Sequence, residues 1–353
     1  MTIKGQATVV KHTGSHYLLA QLPEWNLFPA VLRGKIRLKG STATNPVAVG
    51  DNVSFTAEVP EDAIRPDGQI TVEDGGKVGL EYLTLENPAA ITAVAARKNY
   101  IIRKSTNLSR QSHIIAANLD RAFIIATIDY PEIKLPFLDR ILVTCEVYNI
   151  PVTIVLNKID LYRESHAEML EAFHEIYEGA GYPVIEVSAR TGEGVEMLRD
   201  VVSGRVLPDG SINEDFDASR PVVSLFSGVS GVGKSSLIKA LDPTLEPRVG
   251  EISDAHEQGR HTTTFYEMYA LSTGGFIVDT PGLRGFGLVD LKKEEIALYF
   301  PEMLKATENC RFAPCTHTHE PGCAVKEAVE NGEISYERYS SYLGMLDEEG
   351  KYR

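Results

Sequence analysis

The chain has 353 residues, 43% of them hydrophobic and 24% charged, the make-up of a globular protein with room for two or three cores. It holds no run of 18 apolar residues, which excludes a membrane-spanning helix, and its opening MTIKGQATVVKHTG lacks the apolar stretch of a secretory signal, so the cytoplasm is the expected compartment. The net charge of −14 is unevenly spread: residues 1–110 carry 13 Lys and Arg against 10 Asp and Glu, the remainder 22 against 39, so a polyanionic partner meets the N-terminal part first.

Five short runs within residues 1–85 have the spacing of strands: GQATVVKH, SHYLLAQL, AVLRGKIRLK, DNVSFTAEV and QITVE. With turn residues between them and no helical period, they predict a small closed barrel. Residues 60–79, rich in Pro and Gly, read as a surface loop. From Leu119 the pattern changes. RAFIIATI, PVTIVLN and PVIEVS read as buried strands, while PFLDRILVTCEVY, AEMLEAFHEIYEG and VEMLRDVV read as helices. That alternation predicts a parallel sheet covered by helices. A polar connector spans residues 203–220, a second α/β stretch starts at Pro221, and helical segments surround a cysteine cluster after Asp290.

The strand VVSLF runs into GVSGVGKS and then the helical SLIKAL. A glycine-rich turn between strand and helix aims backbone N–H groups and a helix N-terminus at phosphates. Gly228, Val229, Ser230, Gly231, Val232 and Gly233 form this loop, Lys234 reaches the β- and γ-phosphates, Ser235 holds Mg²⁺, and Ser236 comes next. The loop alone does not separate ATP from GTP. The tetrapeptide Asn157, Lys158, Ile159, Asp160 does, because a carboxylate at Asp160 accepts from N1–H and the 2-amino group of guanine, and adenine offers neither donor. Ser188 and Ala189 end the next strand, where a backbone N–H meets guanine O6. The sequence DTPG places Asp279 to support Mg²⁺ through water and Gly282 to sense the γ-phosphate. Within GRHTTT, Thr263 is the expected Mg²⁺-binding switch residue, with Thr262 and Thr264 as rivals. A glutamine that orients the attacking water often follows such an Asp-x-x-Gly motif. Leu283 stands there instead, and His261 is the nearest polar candidate.

In ordinary small GTPases the phosphate loop comes first, but here the guanine motifs precede it. Such a permutation builds the same sheet from joined termini and makes the chain leave the G domain directly after the DTPG switch. The C-terminal segment beyond that switch carries Cys310, Cys315, His317 and Cys323 within 14 residues, a closed four-ligand set for one structural zinc, with His319 as an alternative to His317. In AVLRGKIRLK, Arg33, Lys35, Arg37 and Lys39 alternate with apolar residues, so four cations share one strand face suited to tracking RNA phosphates.

Taken together, IAANLDRAFI, NKID, GVSGVGKSSL, GRHTTT, DTPG and the Cys-to-Cys segment resemble the bacterial small-subunit-dependent GTPase family of late 30S ribosome assembly, over nearly the whole chain. The resemblance implies a multidomain chain. Residues 1–108 form an oligonucleotide-binding (OB) barrel of five strands, 109–290 a circularly permuted α/β P-loop GTPase domain, and 291–353 a helical zinc-binding domain. It further implies a monomer that hydrolyses GTP to GDP, is stimulated by the 30S subunit and contacts 16S rRNA. A signalling switch, which has no need of the basic barrel, and an RNA-binding module with a vestigial nucleotide site are the competing readings. Salt-sensitive 30S binding and GTP turnover with small subunits separate them.

Overall fold

The computed structural model describes residues 1–13, 16–33, 46–104, 112–247, 266–280 and 291–351. Strand β1 (Thr2–His12) alternates inward Ile3, Ala7 and Val9 with outward Thr2, Lys4 and Gln6, a period of two that buries one face. It pairs antiparallel with β2 (Tyr17–Ala20) and, along its first half, with β4 (Asn52–Glu58). Strand β3 (Phe28–Leu32) follows β2, and with β7 (Ala89–Val94) the order β1-β2-β3-β7-β4 returns to β1, closing a five-stranded barrel in which only the β3–β7 pair is parallel. Ile3, Leu19, Phe28, Phe55 and Ile91 fill it, with the Phe28 and Phe55 rings edge-on at 5.1 Å.

The fifth stave is not the expected QITVE. Its Ile70 and Val72 are buried as the alternation predicts, but β5 (Ile70–Thr71) pairs only with β6 (Lys77–Val78). Val72 N–H donates to Gly76 O and Gly75, at φ +82°, closes a tight turn that consumes the strand locally. The place in the barrel falls to β7 (Ala89–Val94), an alanine-rich segment with a weaker strand signal. Strand β3 ends at Leu32, and Arg33 beyond it is exposed; Lys35, Arg37 and Lys39 lie outside the described residues.

A hairpin of β8 (Tyr100–Lys104) and β9 (Ser112–Ala117) straddles residue 108 and leads to β10 (Arg121–Ala126). There the fully buried parallel sheet begins. Ala122 and Ile124 face one core while Phe123 and Ile125 face the other, which is why this strand reads as an unbroken apolar run. Helix α1 (Leu135–Val147), β11 (Val152–Leu156), the one-turn α2 (Ile159–Tyr162), α3 (Ala167–Gly179), β12 (Val184–Glu186) and α4 (Val195–Ser203) come next. After the connector come β13 (Val223–Gly228), α5 (Lys234–Leu241), β14 (Glu267–Ala270) and β15 (Phe276–Asp279). The sheet order is β12-β11-β10-β13-β15-β14, parallel except for β14, and β14 continues into the barrel through β1.

A 3₁₀ segment (Lys293–Tyr299), α6 (Pro301–Thr307), α7 (Ala324–Glu330) and α8 (Tyr336–Lys351) gather around Phe300, Met303, Val325 and Tyr342. Among the described residues no helix is long and apolar enough to cross a membrane.

Candidate nucleotide and metal sites

The ends of β11, β12 and β13 lie on the same side of the sheet, so the loops after them converge at one edge. Asn157, 1% exposed, joins all three. Its Nδ2 donates to Val232 O at 2.8 Å, its Oδ1 accepts from Ala189 N–H at 3.1 Å, and its own carbonyl accepts from the buried Tyr162 hydroxyl. Lys158 takes a left-handed φ of +66° and donates through Nζ to Gly231 O at 2.7 Å and to Tyr130 O. Ser188 Oγ donates to Asp160 Oδ1 at 2.6 Å, leaving Oδ2 3.9 Å from the Arg190 guanidinium. These contacts leave a cleft of about 310 Å³ lined by Asn157, Lys158, Asp160, Ala189, Arg190 and Ser236. Ile159 is fully buried beneath it. Tyr162 carries no motif signal, although the one-turn α2 brings its hydroxyl back to Asn157, five residues earlier.

On the phosphate side, Gly228 ends β13, and the loop from Val229 to Gly233 turns into α5. Gly231 and Gly233 both sit at φ +89°. A Cβ at Gly233 would lie 2.5 Å from Asn157 Nδ2, so the position needs glycine for conformation and for space. Ser230 and Gly231 are exposed, Val229 is half-buried, and Val232 is buried in the core that also holds Leu237. Lys234 opens α5, with Ser235 next to it, and pairs with Asp279 at the end of β15. The Thr280 and Ser227 hydroxyls share a hydrogen bond at 2.7 Å, and Thr280 Oγ1 reaches Phe226 O at 3.1 Å, fixing the end of β15 against β13. The described residues break off after Thr280 and resume at Leu291, so Gly282 and Leu283 lie outside them, as do His261, Thr262, Thr263 and Thr264.

The second cluster unites Cys310, Cys315, His317 and Cys323, whose ligand atoms all lie within 4.8 Å of one another. His317 Nδ1 is 3.4 Å from Cys323 Sγ and 3.7 Å from Cys310 Sγ, while its Nε2 is 3.3 Å from Thr307 Oγ1. That is how a metal-binding imidazole is held, one nitrogen toward the ion and the other oriented by a neighbour. Burial lowers the His317 pKa, which favours the neutral ligand form. Burial and the neighbouring thiols push Cys315 up to about 12, a crowding that a cation would relieve by binding thiolates. His317 sits at φ +56°, held by Tyr339 Oη donating to its carbonyl at 2.6 Å. His319 is exposed and turned to Thr318, so it stands apart from the four.

A parallel sheet with a phosphate loop after β13, and guanine-type loops after β11 and β12 earlier in the chain, is the frame of a circularly permuted P-loop GTPase. The RsgA GTPase family model matches residues 94–208 and 212–289, and the chain belongs to that family. It is 45% identical over 347 residues to a Bacteroides fragilis protein named small ribosomal subunit biogenesis GTPase RsgA, covering 98% of each chain. A Flavobacterium psychrophilum protein of the same name is 42% identical, over 96% of this chain and 91% of that one. Among solved structures, YjeQ from Thermotoga maritima aligns with a TM-score of 0.70 and 30% identity over 99% of this chain and 100% of that one. YloQ, described as a circularly permuted GTPase, shares the fold at a TM-score of 0.65.

Proposed function

We propose that this GTPase hydrolyses GTP to GDP and phosphate in response to the small ribosomal subunit and acts in late 30S maturation through contact with 16S rRNA. The observation that carries the nucleotide half is Asn157, which binds the NKID loop, the Ala189 strand end and the phosphate loop into one unit. In this reading Asp160 pairs with the guanine edge, Lys158 lies along the base, and the Ala189 N–H turns from Asn157 Oδ1 to guanine O6 when the nucleotide enters. The glycine loop cradles the phosphates, and Lys234 leaves Asp279 to meet the β- and γ-oxygens. Ser235 and Thr263 would hold Mg²⁺, with Asp279 supporting it through water, and the ion would supply positive charge against that developing on the transferred phosphoryl group. Gly282 senses the γ-phosphate, and His261 orients the attacking water when the 30S subunit is bound.

The ribosomal half rests on relatives named for small-subunit biogenesis that match more than nine tenths of the chain. The division of labour follows the segments: 1–108 for rRNA, with Arg33, Lys35, Arg37 and Lys39 as its cationic edge, 109–290 for GTP, and 291–353 as a zinc-stabilised module. The Cys₃His donor set suits zinc, whose four protein ligands leave no open catalytic position. A cytoplasmic monomer is the expected form. The test is GTP turnover with and without purified 30S subunits. Stimulation of about a thousandfold or more is expected, and an unstimulated rate would end the ribosomal reading. Full stimulation in His261→Ala would remove that residue from the mechanism.

A further inference from the structure

Strand β1 serves two bodies at once. Thr2 to Thr8 pair with β4 inside the barrel, and Lys11 pairs with Glu267 of β14 in the GTPase sheet. The changeover is made by a bulge: opposite β2 the register slips between Val9 and Lys11, leaving Val10 as the extra residue. Bulges re-aim side chains. Val9 accordingly packs in the barrel core, while Val10 packs with Met268 and Phe276 in the GTPase core. Trp25, whose ring centroid lies 5.6 Å from that of Phe276, adds a second apolar tie across the same joint.

Across this joint runs a row of charges. Lys11 stands opposite Glu267, and Glu267 stands opposite Asp279. Residues directly opposed in a ladder project to the same face, so all three line one side of the sheet. Lys11 is ion-paired with Glu267, and Lys234 with Asp279, giving the order plus, minus, minus, plus. Like charges directly opposed repel, and here each is neutralised from its outer side. The Lys11 and Glu267 side chains are only 20% and 21% exposed, so solvent screens them incompletely.

We infer that Lys11 and Glu267 are positioning residues for Asp279, through which the barrel sets the negative potential at the nucleotide-linked Mg²⁺. This rests on the reading of Asp279 as a supporting group for that ion. Once Lys234 moves to the phosphates, Lys11 is the cation left in the row. Drawing Lys11 away, as a phosphate of bound RNA would, leaves the Glu267 charge beside Asp279 with only the neutral Tyr269 hydroxyl, at 3.4 Å, among the described residues, and tightens the hold on the cation. Removing Glu267 does the reverse. Glu267 stands one strand from Asp279 and Lys11 two, so a unit charge lost at about 5 to 10 Å, partly screened, changes cation affinity by roughly three- to tenfold, the larger effect coming from Glu267.

The experiment uses the full chain loaded with a fluorescent GDP and measures the Mg²⁺ concentration that half-maximally slows its release. Lys11→Met is expected to lower that concentration about threefold or more, Glu267→Gln to raise it, and Lys11→Arg to leave it in place. The exchange Lys11→Glu with Glu267→Lys keeps an ion pair but puts a cation opposite Asp279. It is expected to raise the Mg²⁺ requirement, whereas a merely structural joint would return wild-type behaviour. Unchanged midpoints, or shifts of one sign in both single variants, would overturn the inference. Asp279→Asn is the separate control: if it leaves the Mg²⁺ requirement unmoved, the reading of Asp279 fails, whatever the pair does.

Discussion

Asp160 presents a carboxylate already oriented by Ser188, with one oxygen taken at 2.6 Å and the other facing the cleft. A carboxylate set this way loses its partners when guanine is replaced by a base without N1–H and 2-amino donors, and an acceptor that the base covers without pairing is costly. Asp160→Asn should therefore weaken GTP about a hundredfold while admitting xanthosine triphosphate, whose 2-oxo group accepts from the new amide. Competition binding with both nucleotides reads this out, and unchanged GTP affinity would sink the assignment. The role proposed for Asp160 comes from the tetrapeptide alone, because the chemistry of guanine dictates the residue type. The Tyr162 hydroxyl on Asn157 O was not, since a tyrosine after a short acidic turn has no pattern of its own.

Elements were legible where burial repeats with a clear period, and less so where a local turn competes with a distant partner. QITVE shows the strand period, yet a Gly75 turn gives its hydrogen bonds to Lys77–Val78 before the barrel can claim them. The loop after α5 shows the same economy of local bonds. Asp242 accepts from Thr244 N, Thr244 Oγ1 and Ser272 N at 3.0, 2.6 and 2.6 Å, tying the end of α5 to the β14–β15 turn. Burial pushes its carboxyl up, but these hydrogen bonds outweigh that and hold it at about 2. A depressed acid stabilises the fold above its unfolded value and loses that contribution as pH falls through the folded one. Asp242→Asn should then cost about 1–2 kcal/mol at neutral pH, with the gap to wild type closing between about pH 4 and pH 2. Chemical denaturation at both pH values checks it. A gap that persists at pH 2 would assign the effect to something other than charge.

In the zinc-type loop, the carbonyls of Thr316 and His317 accept from Tyr342 and Tyr339 of α8, so the cluster and the helix share one fate. Metal analysis should find about one zinc per chain. Cys323→Ser or strong chelation should release it and melt α7 and α8 locally, because metal binding and folding are linked there. Hydrogen exchange of those helices without metal is the measurement, and full protection in a metal-free chain would refute the site.

At the scale of the molecule, the C-terminal helices are locked to the GTPase domain by a buried charge cluster. Arg338, fully buried on α8, donates to Asp139 of α1 at 2.7 Å and to Glu302 of α6 at 2.8 Å, with its guanidinium 4.6 Å from the Phe300 ring centroid. Arg338→Met leaves two carboxylates without their cation and should destabilise this joint by about 3–5 kcal/mol. Adding Asp139→Leu and Glu302→Leu should recover much of the loss, since an apolar triad needs no cation. Equilibrium unfolding of the single and triple variants tests this, and a triple variant as unstable as the single one would contradict it.

The sequence by itself determined the chemistry that depends on residue type at short spacing: the phosphate loop, the guanine tetrapeptide, the Cys₃His set and the permuted order of motifs. The first three work through neighbours within a few residues and the last is the linear order of such motifs, so these signals survive without coordinates. Only the tertiary structure decided the couplings between segments far apart in the chain. Lys11 meets Glu267, Asn157 meets Val232, and Arg338 meets Asp139 across intervals of 256, 75 and 199 residues. The physical reason is that a buried ion pair or cross-strand neighbour is specified by strand order and register. Those are set by which apolar faces find each other, a property of the packed chain and not of any stretch of it.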